Sequence, residues 1–198
     1  MGAARRGTTA VVVVPTLVLL AAGCASGADG AGSSAGSAPR VAPVTADVQR
    51  GASCVDDDVL SALGLVLDPS LRTEAPAPTT RGLPPEGFVA DSVLLCDRGA
   101  TMRDSVGTWW SVTATRLEGD LTPLVAAARR APTPATCAPG VVAQVWLVDA
   151  LGSAVLLPSD AACAGDGDVP AALDGLDVVD RTEHPVALVG PTAGASAP

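Results

Sequence analysis

Sulfur carries most of the chemistry this sequence offers. Its 198 residues contain five cysteines, Cys24, Cys54, Cys96, Cys137 and Cys163. None is spaced as Cys-x-x-Cys, so neither a zinc knuckle nor a dithiol redox motif is indicated. The remaining catalytic repertoire is thin. The chain contains no Lys, Tyr or Asn. Without Lys there is no P-loop lysine and no Schiff base. A Ser-His-Asp triad would have to use His184, the single histidine, which stands beside Pro185 in a stretch that reads as a solvated tail. Carboxylates occur in pairs, Glu118 with Asp120 and Asp166 with Asp168. Each pair immediately precedes a predicted helix, where capping accounts for it. Glycosidase chemistry would instead need the two carboxylates to face each other across a cleft. Asp56-Asp57-Asp58 lacks the Asp-x-Asp-x-Asp-Gly order of a calcium loop and reads as the acidic first turn of a helix. These residues lead us to expect no enzyme, no metal and no cofactor. Trp109-Trp110 is the other notable pair. Adjacent residues of a strand point to opposite faces, so one ring should enter the core and the other reach solvent. There it can anchor a partner or pack on the neighbouring proline-rich segment.

The stretch that positions Cys24 is the most specific in the chain. It reads Arg5-Arg6, then an apolar run from Ala10 through Val11-Val12-Val13-Val14 to Leu19-Leu20, then Ala21-Ala22-Gly23-Cys24. The run is about 13 residues, too short for a membrane span and of secretory-signal length. Its ending resembles the lipobox of bacterial exported lipoproteins, with Ala21 where that family usually has Leu. The resemblance implies that Cys24 takes a lipid on its sulfur, that the chain is cut before it, and that the rest is tethered to the outer face of the cytoplasmic membrane. The signal, Cys24 and the following tether are similar to those of lipoproteins from high-GC Gram-positive bacteria. The formal charge is −9. Loss of Arg5 and Arg6 with the signal takes it to −11. An acidic chain without a basic cluster argues against nucleic acid and against electrostatic attachment to anionic lipid. The expected membrane contact is therefore the lipid anchor itself.

The chain divides as follows. Residues 1–23 form the signal peptide and residues 24–48 a Gly/Ser/Ala/Pro tether with little to bury. A folded domain spans 49–181, and residues 182–198 return to Pro, Gly, Ala and Ser and read as a disordered tail. Within the domain, Asp56 to Leu65 predicts a short helix. The segment 68–86 carries five prolines, at positions 69, 76, 78, 84 and 85. It cannot be regular structure and is either a flexible insertion or a functional surface. Phe88 to Leu95 reads as a buried strand and Trp110 to Thr115 as a half-buried one. Gly119-Asp120 then caps a helix bearing Leu121, Leu124, Val125 and Ala128. The pattern recurs. Val141 to Val148 and Ser153 to Leu157 read as strands joined at Asp149-Ala150-Leu151-Gly152, and Gly167-Asp168 caps a second helix with Val169, Ala172, Leu173 and Leu176.

The predicted fold is thus α+β and two-layered. An antiparallel sheet of about four strands has helices on one face, in the order helix, then two strand-strand-helix units. A core of Val, Leu and Ala with Phe88 and three Trp buries little area per residue, so covalent support is expected. Four cysteines remain after Cys24, and an even number in an exported chain favours two disulfides. The two-unit arrangement pairs Cys54 with Cys96 and Cys137 with Cys163. The four-cysteine domain is also similar to secreted subtilisin-inhibitor-like proteins, in having sequential cysteine pairs around short hairpins. That resemblance implies protease inhibition as the alternative function, although Cys137-Ala138-Pro139-Gly140 supplies no counterpart of the reactive-site loop. The function expected first is a non-enzymatic binding or accessory domain of the cell envelope, with an envelope protein or polymer as partner.

Overall fold

The structure is a computed structural model that describes residues 44–73, 78–130, 140–163 and 168–191. It contains one seven-stranded antiparallel sheet. In chain order the strands are β1 (Gln49–Arg50), β2 (Ser92–Arg98), β3 (Met102–Arg103), β4 (Gly107–Glu118), β5 (Gln144–Val148), β6 (Ser153–Leu156) and β7 (Asp177–Pro191). Across the sheet they run β1-β6-β5-β2-β4, with β3 and β7 both paired to β4. Among the described residues three α-helices accompany them, α1 (Asp57–Ala62), α2 (Thr122–Arg129) and α3 (Asp168–Asp174).

Alternation along the central strands sends side chains into two separate cores. Val93, Val145, Leu147, Val155 and Leu157 pack with Leu124 of α2 and with Val169 and Leu173 of α3. Cys96, Trp146, Ala154 and Leu156 pack on the opposite face with Val59 and Leu60 of α1. The sheet is therefore covered on both sides. This explains why β5 is buried at four consecutive positions, Gln144 to Leu147, rather than at every second one.

Local chemistry sets the helix limits. The Asp56 carboxylate accepts the Asp58 N–H at 2.9 Å and starts α1. Gly64, at φ +66°, stops it. The Leu65 N–H bonds to the Leu60 carbonyl at 2.8 Å and the Gly64 N–H to the Ser61 carbonyl at 3.0 Å, a Schellman closure. Asp120 accepts the Thr122 N–H at 3.0 Å at the start of α2. The β5–β6 turn closes as the spacing predicts, with the Gly152 N–H on the Asp149 carbonyl and Gly152 at φ +83°.

Several expectations need correction. The sheet has seven strands, not about four, and helices lie on both faces rather than one. The largest difference is β7. Residues 182–191, read as tail, belong to a fifteen-residue strand that pairs with β4 along its length. Proline and glycine suit an outermost strand there as well as a tail. Pro185 and Pro191 sit in an outermost strand, where a missing N–H breaks no ladder if it points away from the sheet. At the other end, composition places residues 44–48 in the tether, but Ala46 is buried and its N–H bonds to the Leu83 carbonyl at 2.9 Å. The first predicted strand starts late, at Ser92 rather than Phe88. Finally, one disulfide is found among the described residues, Cys54–Cys96, where two were expected. Cys137 lies outside the described residues, while Cys163 is buried.

Candidate functional site

The face that carries α1 holds the cysteine bridge, the acidic triplet, the proline-rich segment and the exposed tryptophan. Cys54 precedes α1, and Cys96 lies mid-strand in β2, facing Gln144 of β5. The bridge joins residues 42 apart in sequence and is buried at both ends. It pins α1 onto the sheet beside Trp146, which is 1% exposed.

The three acids clamp the proline-rich segment. Arg72 follows the 3₁₀ turn Pro69–Leu71 and makes a two-pronged bridge to Asp57, with both N···O distances 2.8 Å. That hydrogen-bonded pairing holds the Asp57 carboxyl below its ordinary value and raises the Arg72 guanidinium. Thr79 donates its N–H to Asp58 at 3.0 Å and its hydroxyl to Asp56 at 3.1 Å. Arg81 reaches further in. It donates to the Gln144 side-chain carbonyl at 2.6 Å and to the Asp58 backbone carbonyl at 2.6 Å. Gln144 is 1% exposed and directs its amide to the Val142 and Ser159 carbonyls. Burial lowers the Arg81 pKa, countered by the nearby Asp58 and Asp56 charges. The segment around these contacts is thus clamped to the domain rather than a loose insertion. The acids have structural work that accounts for them. Among the described residues no group of three His, Cys, Asp or Glu is placed to hold a metal ion.

Trp109 and Trp110 divide as their adjacency predicts. Trp109 is buried, and Trp110 is 36% exposed on the α1 face. The Arg98 guanidinium lies over the Trp110 ring, 4.6 Å from its centroid. Arg98 and Trp110 meet because Arg98 pairs with Val112 in the β2–β4 register, one same-face step from Trp110. Beyond α1, exposed Val66 leads to Asp68, whose N–H bonds to the Val186 carbonyl of β7 at 2.6 Å. Ala187, opposite Trp110 in the β4–β7 register, is half-buried. An aromatic ring, a guanidinium and aliphatic carbon are therefore grouped at one end of this face. Such a group offers stacking, a positive charge and apolar contact to a partner, and contains no nucleophile or general base. The sequence pattern alone does not single out Arg98 for this role. Its place at the end of a buried strand, with a tryptophan in the next one, was the available signal.

The other predicted positions lie apart. Cys24 and Asp166 are outside the described residues. Asp168 bridges Arg130 at 2.8 Å, and Glu118 bridges Arg116 at 3.1 Å, both on the surface. His184 is exposed in β7 opposite Val112. A separate shallow concavity of about 340 Å³ is lined by Phe88, Val89, Asp91, Asp149 and Leu151, near the β5–β6 turn. Among the described residues no helix is long and apolar enough to cross a membrane.

Comparison with protein-family models, with curated proteins and with solved structures found no match.

Proposed function

We propose that this protein is a lipoprotein of the bacterial cell envelope, held at the extracytoplasmic face of the membrane through Cys24, and that its domain binds an envelope protein or polymer without catalysis. The Cys54–Cys96 bridge is the observation that carries the reading. Buried structural disulfides belong to oxidising compartments, so the bridge supports export independently of the Arg5–Cys24 stretch. The Trp110–Arg98 group supplies the contact surface. A stacked guanidinium over a half-exposed indole suits ring-bearing or anionic partners, such as a glycan chain or a protein loop.

Metabolic labelling with an alkyne fatty acid in a Gram-positive host tests the anchor. Wild-type protein should take up label and stay with the membrane fraction, and Cys24→Ser should do neither. Label that persisted in the variant would refute the anchor. For the binding surface, the immobilised domain should retain material from solubilised envelopes, and Trp110→Ala should lose it.

A further inference from the structure

We infer that the outer edge of β7 docks a second copy of this chain, through an antiparallel pairing centred on Thr182.

Among the described residues β7 pairs only with β4, no described strand occupies its other edge, and Arg181 to His184 are exposed. Two fixed bonds show which of its backbone groups point outward. The Gly99 N–H bonds to the Ser111 carbonyl, and the Leu157 N–H bonds to the Val145 carbonyl. Neighbouring residues of a strand direct their polar groups to opposite edges. Carried through the registers, Ser111, Thr113 and Thr115 of β4 face β2, whereas Val112, Ala114 and Arg116 face β7. Their β7 partners are His184, Thr182 and Asp180, which point inward. Arg181 and Glu183 therefore present N–H and C=O to the outside.

This open window is short and bounded. Register shifts fall between Arg116 and Leu117 of β4 and again between Trp110 and Ser111. Between them the ladder from Asp180 to Pro185 is regular. Pro185 lacks an N–H, and past it the Val186 carbonyl is taken by the Asp68 N–H. Natural edges are blunted by prolines and bulges of this kind. Here those devices flank the stretch Asp180-Arg181-Thr182-Glu183-His184 without covering it.

That stretch complements itself when reversed. In the register that sets Thr182 against Thr182 of the second copy, Arg181 meets Glu183 and Asp180 meets His184, each twice. Opposite charges then face each other at both outward-bonded positions, a carboxylate meets a ring N–H donor, and the threonines pair at the centre. Shifting the register by one residue sets Asp180 against Glu183, or Arg181 against His184. The same register is the one in which the outward groups of Arg181 and Glu183 can bond, so backbone geometry and side-chain charge select one alignment. The pairing is independent of the lipid anchor.

The purified full chain, lipidated and in detergent, is followed by analytical ultracentrifugation over rising concentration. A monomer–dimer equilibrium is expected. Arg181→Glu and Glu183→Arg should each weaken it about tenfold, and the double exchange should restore it to within about threefold, because the reversed charges complement each other again. Glu183→Arg matters separately, since Arg181 also attracts the half-buried Asp97. Thr182→Cys should form a disulfide-linked dimer under mild oxidation, at a rate well above the exposed control Thr101→Cys. A wild type that stays monomeric up to ~1 mM, in the range where the weakest specific contacts are detected, overturns the proposal. So does a double exchange no tighter than either single variant, or a dimer lost through Trp110→Ala and indifferent to both charge reversals.

Discussion

The two faces of the sheet are held down by different means. On one, α2 and α3 lay Leu124, Ala127, Val169 and Leu173 against Val93, Val145, Leu147 and Val155. Those contacts are aliphatic. On the other, α1 has six residues and buries Val59 and Leu60. A helix that short does not persist alone in water, and two buried side chains give it little purchase. It is fixed by a disulfide at its entrance, a Schellman closure at its exit, and carboxylates that clamp the following segment. The contrast teaches where covalent support is needed in a core short of large side chains. It goes to the element that burial alone cannot hold, and the polar clamps then extend that support to a proline-rich segment with no regular structure of its own.

The largest test of this contrast removes the bridge. In the chain-entropy account, a crosslink between residues 42 apart is worth about 4 kcal/mol. That is a large share of a typical domain's stability of roughly 5–15 kcal/mol. The Cys54→Ala/Cys96→Ala variant should lose about that much in urea denaturation, with α1 and its following segment the first to gain hydrogen exchange. A loss under about 1 kcal/mol would show that α1 is held by packing after all. Next comes Leu124→Ala on the other face. Leu124 is fully buried in α2, and truncating such a leucine costs about 2–5 kcal/mol. Here exchange should rise first in α2 and α3. Because the two sites share no partner, combining them should give nearly additive losses. Strong non-additivity would join the two cores into one.

The aliphatic face was the more legible in the sequence. Its helix periodicity, the Asp120 turn just before α2 and the Asp149–Gly152 turn follow from spacing and turn chemistry, which are local. The α1 face depends on what is far apart in the chain. Nothing in Arg72, Thr79 or Arg81 announces that each will reach an acid at the start of α1 or a glutamine in β5. Gln144 gave a partial hint, since a strand buried on both faces must find its amide a partner. The sequence of β7 is ambiguous for a related reason. Its prolines and glycine suit an outer strand as well as a tail, and only the long β4 opposite decides between them. The Trp109–Trp110 division was local and readable, whereas the Arg98 guanidinium over Trp110 required the β2–β4 register.

A moderate effect is expected from Arg81→Ala. The change leaves the Gln144 carbonyl oxygen without its guanidinium donor in a site 1% exposed. An unsatisfied buried acceptor costs about 1–3 kcal/mol. The distinguishing readout is local. Protease cutting after Arg72 should accelerate, since the contacts of Arg81 that hold the far end of the segment to Gln144 and Asp58 are gone, while hydrogen exchange in α2 stays unchanged. If α2 loosened equally, the clamp would belong to the whole domain and not to the α1 face.

The smallest effects carry the clearest sign, because one carboxylate on each side of the sheet responds to acid in opposite ways. Asp57, on the α1 face, is held below its ordinary value of 3.8 by the hydrogen-bonded Arg72. A lowered folded pKa contributes stability that is present above 3.8 and lost as pH falls through the lowered value. The pair is about one-third exposed at each side chain, so solvent screening keeps the gain small. Asp97, in β2, points to the other face, as its odd position beside Val93 and Leu95 requires. Burial raises its pKa, with the Arg181 charge opposing that rise. Its ionised form is therefore penalised in the folded chain. That penalty is absent below 3.8, grows as pH climbs toward the raised value, and persists at neutrality. Asp57→Asn should thus lower the melting temperature at pH 7, by an amount that shrinks as pH falls from 3.8 through the lowered value. Asp97→Asn should raise it at pH 7 and lose that effect as pH falls below 3.8. Melting curves across that range separate the two, and a loss of stability at pH 7 in Asp97→Asn would mean that the attraction of Arg181 outweighs the cost of burial.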